Sequence, residues 1–205
     1  MNNNKTLHSE NDLILLSLDF FASFYPKLYI LETTIKTKLF CLIKDKLGAD
    51  WFNDQINSKN KSTLFKQEID IILRRKPGGF VLSDHGFMAE TGLGFWVEFF
   101  RKSFYKESKG IPIQIFNNLS KGIKRRDIYN HLEQIKEARN LLFHSRISPI
   151  TSLNDLDKLE SLIELDKKMT IVLEWMDATP LEVIHSTGSI QKADEIKKRV
   201  LELSI

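Results

Sequence analysis

The residues best suited to chemistry fall within one short run, Glu137-Ala138-Arg139-Asn140-Leu141-Leu142-Phe143-His144. A histidine titrates near neutrality, so His144 can take or give a proton at ordinary pH. At roughly 100° per residue, Glu133, Glu137, Asn140 and His144 line up on one face of a helix. His144 would stand in its last turns, where the carbonyl end of the helix dipole favours a protonated imidazole. Neighbouring carboxylates push in the same direction. A second face carries Ile128, Leu132, Ile135 and Leu142, an apolar stripe that Arg139 interrupts. Burying an unpaired guanidinium is costly, so Arg139 needs a partner, a cleft or an interface. A local conflict of this kind often marks a functional site. The bland alternative is a solvated polar face, with Arg139 snorkelling to the rim of a bundle. Composition and spacing leave both open.

Other chemistries find less support. His8, His85, His131 and His185 are scattered and lack metal-ligand spacing. Gly78-Gly79 and Gly92-x-Gly94 read as turn glycines and not as phosphate loops. No Ser-His-Asp set can be argued, and nothing calls for a cofactor or a metal. Basic runs occur at Lys121 to Arg126, at Arg74-Arg75-Lys76 and at Arg101-Lys102; each reads more readily as a solvated surface than as a contact. A net charge of +3 permits a polyanionic partner without demanding one.

The elements that must position these residues are helices, because apolar spacing is helical and no long alternation appears. A first helix, capped by Ser9, runs to about Tyr25, where Pro26 intervenes. The stripe Leu28, Leu31, Ile35, Leu39, Leu42, Ile43 predicts a second, stopped at Gly48. A third spans about 63–75 and ends before Pro77-Gly78-Gly79. Phe95 to Phe100 begins a short aromatic helix that fades by Gly110 and Pro112. The helix bearing Arg139 runs over about 126–146. Asn154 caps the next, about 155–175, and a last amphipathic helix at about 190–203 is a possible appendage. One all-α domain over 1–205 follows.

Fourteen Phe and three Trp make an aromatic-rich core. The single cysteine, Cys41, stands in an apolar run and reads as a buried, inert thiol. The N-terminus lacks a secretory pattern. Leu13 to Phe24 is broken by Asp19 and too short to span a bilayer. The expected location is the cytosol, away from membranes.

The run Arg139 to His144, with Asn140 after the arginine and four residues between Arg and His, resembles the HEPN signature. Ile128-Tyr129-Asn130-His131-Leu132-Glu133-Gln134-Ile135 leads into it much as in Abi-like (abortive infection) proteins. Leu31 to Thr37 resembles their early helix, Gly48 to Phe52 the turn after it, and Gly92 to Phe100 their mid-chain aromatic segment. The likeness covers about 28–150. It departs at Lys36, where Arg is frequent, and at Ser145, where a second His often follows.

The resemblance implies an antiparallel HEPN-like helical bundle with additional N- and C-terminal helices. It also implies a metal-independent endoribonuclease acting as a toxin or antiphage effector, in which the RNA 2′-hydroxyl attacks the adjacent phosphate. His144 would be general acid or base, Arg139 would stabilise the phosphorane, Asn140 would orient His144 or bind phosphate, and Glu137 would position either. Lys124, Arg125 and Arg126 would be the first contacts to the RNA backbone. A homodimer and a neutralising antitoxin partner fit the same picture. Two alternatives remain: a non-catalytic RNA- or nucleotide-binding module, and a structural interaction protein.

Overall fold

The computed structural model describes residues 3–48, 50–59, 63–143, 147–178 and 188–203. Among them every regular element is a helix, and the chain is all-α. In chain order the helices are α1 (Asn3–Ala22), α2 (Tyr25–Leu47), α3 (Trp51–Asn57), α4 (Leu64–Arg74), α5 (Asp84–Glu90), α6 (Leu93–Glu98), α7 (Lys102–Glu107), α8 (Arg125–Phe143), α9 (Leu156–Trp175) and α10 (Ser189–Leu203). Short 3-10 turns stand at Ile111–Ile115 and Leu153–Asp155. The chain divides into two compact units, Met1–Leu31 with Gln134–Ile205, and Glu32–Glu133.

In the first unit α1 and the turn after it bury Leu13, Ser17, Phe20, Phe21 and Phe24, at the spacing of one helix face. Ser17 fits this stripe because its hydroxyl donates to the Ile150 carbonyl and accepts from the Ile150 N–H, both at 3.0 Å. The chain beyond α8 is thereby pinned to α1. α1 begins before Ser9, and its break falls at Ser23–Phe24 rather than at Pro26. Pro26 is instead in the first turn of α2, where an N–H has no helical partner to lose.

With so short a break, Asn11–Leu47 becomes the one described stretch long and apolar enough by composition to cross a membrane, and 44% of its most apolar window is buried. Reading Leu13 to Phe24 alone misses this length. The stretch also carries Lys27, whose ammonium meets both Asp166 carboxylate oxygens at 2.7 Å and the Thr170 hydroxyl at 3.2 Å. Both charges are buried, and the pair joins α2 to α9.

The entry to α9 is held by Ser152 and Asp155 rather than by Asn154: Ser152 caps the 3-10 turn Leu153–Asp155, and Asp155 stands at the N-cap of α9. Asp155 Oδ2 accepts from Ser152 N at 3.1 Å and from Thr151 N at 3.0 Å, and Oδ1 accepts from Lys158 at 2.9 Å. α10, the expected appendage, packs against α1 and α9. It buries Ala193, Ile196 and Val200 and is edged by Lys192–Asp19 at 2.7 Å and Lys197–Glu160 at 3.5 Å.

The second unit is built on aromatic rings. Phe65 meets Trp51 at 4.5 Å and Phe99 at 4.9 Å, and Phe87 meets Phe52 at 5.3 Å and Phe95 at 5.4 Å. Trp96 is fully buried and donates its indole N–H to the Thr91 hydroxyl at 3.1 Å. α4 matches its expected span, capped by Thr63, which accepts from Lys66 N at 3.2 Å. α2 ends before Gly48, whose φ of 101° suits a helix C-terminus. The aromatic segment makes two short helices, α6 and α7, where one was expected. Cys41 is exposed, not buried: in a helix a run of five apolar residues goes all the way round, and Cys41 falls opposite Leu39 and Ile43.

Candidate active site on α8

α8 starts at Arg125, where Asp127 Oδ2 accepts the Lys124 N–H at 2.9 Å and satisfies an otherwise unpaired first-turn donor. It is described to Phe143; His144, Ser145 and Arg146 lie outside the described residues. Ile128, Leu132 and Ile135 are fully buried, as their spacing predicts. Arg139 stands two turns after Leu132 on the same line. There the burial relaxes: Arg139, Asn140 and Leu142 are half-buried, and Leu141 and Phe143 are exposed. The guanidinium therefore occupies the core-facing line of the helix at the point where that line reaches the surface. Its Nη1 donates to the Asn140 side-chain oxygen at 3.4 Å, so the two polar residues of the run are coupled.

Glu137 is exposed on the polar face. His131 Nδ1 lies 2.8 Å from the Asp127 carbonyl. Of the three basic candidates, Lys124 and Arg126 are exposed, whereas Arg125 is half-buried. Arg125 donates to the Phe100 carbonyl and lies 5.9 Å from the centre of the Tyr105 ring. These three belong to the second unit and Arg139 and Asn140 to the first.

Spacing did not single out the aromatics around the end of α8. Phe143 lies one turn after Arg139, and its ring meets Tyr25 edge-on at 5.6 Å. Tyr25 in turn stacks on Tyr29 at 6.3 Å, with the rings 24° apart. The i, i+4 pairs Arg139/Phe143 and Tyr25/Tyr29 were the available signal. A separate cavity of about 210 Å³ opens in the second unit, lined mainly by Ile43, Trp51, Phe65, Phe99 and Phe104. It is an apolar recess without a pair of titratable groups. Among the described residues no three His, Cys, Asp or Glu gather as a metal site.

Fold and site together define an all-α protein with an Arg–Asn pair at the emerging end of one amphipathic helix. No protein-family model, no curated protein and no solved structure matches the chain.

Proposed function

We propose that the chain is a metal-independent endoribonuclease of HEPN type, acting in the cytosol as a toxin or antiphage effector. The observation that carries this reading is the position of Arg139. It takes a core-facing place in α8 that Leu132 and Ile135 fill with fully buried apolar groups, yet it is only half-buried and coupled to Asn140. A cationic group at the mouth of an apolar line suits an oxyanion whose charge grows during reaction. The sequence resemblance supplies the partner, His144.

In this mechanism the 2′-hydroxyl loses its proton to a base and its oxygen bonds to the adjacent phosphorus. Arg139 holds the equatorial oxygens of the phosphorane, with Asn140 steadying the guanidinium through its side-chain oxygen. The bond from phosphorus to the 5′-oxygen then breaks, and an acid protonates the leaving oxygen. The products are a 2′,3′-cyclic phosphate and a 5′-hydroxyl. His144 is one of the two proton-transfer groups. Exposed Lys124 and Arg126 serve as sequence-independent phosphate contacts, and a neutralising partner would act by covering this end of α8.

The test is incubation of the full chain with total RNA in EDTA. Cleavage is expected to persist under chelation and to fall about 100- to 10,000-fold in His144→Ala, with an unchanged circular dichroism spectrum. A folded His144→Ala protein that cleaves normally removes the site. Binding without cleavage selects a non-catalytic RNA-binding module, and absence of binding at low salt selects an interaction protein.

A further inference from the structure

Among the described residues the exposed large aromatics are Tyr25, Tyr29, Phe80 and Phe143. Tyr25, Tyr29 and Phe143, at 57%, 59% and 40% exposure, form one continuous chain of ring contacts in the first unit. Exposing three touching rings forgoes the gain that the other aromatics draw from burial, and a clustered apolar surface usually marks a binding site. Cations and the polar amide flank it. On α8, Phe143 shares an arc of roughly 100° with Lys136, Arg139 and Asn140. Aromatic faces beside positive charge are what a single-stranded nucleic acid needs, because bases stack while phosphates are neutralised. A duplex, its bases already stacked, gains nothing from the rings.

We infer that Tyr25, Tyr29 and Phe143 form a stacking platform for unpaired nucleobases of RNA, placed one helical turn from Arg139. The inference rests on the endoribonuclease reading and adds to it that the substrate is single-stranded at the cleavage site. Tyr25 and Tyr29 are nearly parallel, so they offer ring surface for base stacking. Phe143 meets Tyr25 edge-on and joins that surface to α8.

The experiment uses short 2′-O-methyl oligoribonucleotides, which lack the attacking hydroxyl and report binding alone. Three forms are compared on the unmodified full chain: single-stranded, annealed to a complement, and single-stranded with abasic positions. The base-containing single strand is expected to bind about 10- to 100-fold more tightly than the abasic one. Tyr25→Leu and Tyr29→Leu keep apolar bulk but remove the rings. They are expected to lower single-strand affinity to the abasic level and leave duplex affinity unchanged. Equal binding of all three probes by the unmodified chain overturns the platform even if a variant fails to fold. If the unmodified chain cleaves RNA and the leucine variants bind single strands normally, the platform falls and the endoribonuclease stands. If it neither binds nor cleaves RNA, both fall. A leucine variant that shifts sedimentation without changing RNA affinity assigns the rings to a second copy of the chain instead.

Discussion

Arg139 tests whether an off-pattern residue is retained for function or for packing. Its neighbours along the core-facing line, Leu132 and Ile135, are fully buried. A leucine at 139 would extend that stripe and relieve the desolvation of a guanidinium. Arg139→Leu is expected to leave stability unchanged or raise it by up to about 1 kcal/mol, while cleavage falls roughly 100- to 1,000-fold. Denaturant melts and cleavage rates on the same preparation decide the matter; a strongly destabilised variant would make Arg139 a structural residue. Asp155 is the residue with a clear acid response. Partial burial raises its pKa, but hydrogen bonds from Lys158, Thr151 N and Ser152, with the Lys158 charge, outweigh this and hold it at about 2 against an ordinary 3.8. The folded value lies below the unfolded one, so the stabilisation is present above the ordinary value and fades as pH falls towards about 2. Discounted for solvent screening, it amounts to about 1 kcal/mol. Asp155→Asn should therefore unfold earlier than the parent at pH 6 and at a similar denaturant concentration near pH 2. An equal gap at both pH values would show that the carboxylate charge is not the cause.

Elements follow the sequence where one face is long enough to show a period. α4, α8 and α9 lie close to their expected spans because apolar residues recur over several turns. α3, α5 and α6 span two turns or fewer, so periodicity has nothing to repeat, and they form because their rings insert into the aromatic core. The Arg139 conflict was legible from spacing alone. The Tyr25–Phe143 contact was not, since it joins residues far apart in the chain. Nor was the ion pair between α2 and α9, because Lys27 and Asp166 are 139 residues apart and no local pattern links them. Lys27 Nζ is nevertheless buried against both Asp166 oxygens at 2.7 Å. Lys27→Ala should cost about 3–5 kcal/mol, because it strands a buried carboxylate. Replacing both partners, Lys27→Met with Asp166→Leu, should recover most of that loss. Equilibrium unfolding of the single and double variants measures it, and additive losses would show that the two charges do not depend on each other.

For the whole molecule, the proposed RNA-cleaving chemistry predicts a two-fold homodimer. In-line attack needs one group to accept the 2′-hydroxyl proton and another to protonate the leaving oxygen. Each chain offers one histidine in the run that resembles the HEPN signature, His144. By helical spacing alone His131 would fall roughly 220° from His144, and His131 Nδ1 lies 2.8 Å from the Asp127 carbonyl. A symmetric interface would supply the second histidine by bringing two copies of the α8 end to one cleft. Leu141 suits such an interface: it is 45% exposed and follows Glu137 by one turn, on the side of α8 away from Phe143. The shared cleft would hold both Arg139 side chains in a polar seam, and an RNA phosphate between them would offset their repulsion. Light scattering at micromolar concentration should give twice the chain mass of 23.9 kDa. Activity per chain should fall on dilution through the dissociation range, and Leu141→Glu should move that fall to higher concentration without altering the circular dichroism spectrum. A protein that stays monomeric and cleaves RNA with the same activity per molecule at every dilution would rule out the shared cleft and require a second proton-transfer group within one chain.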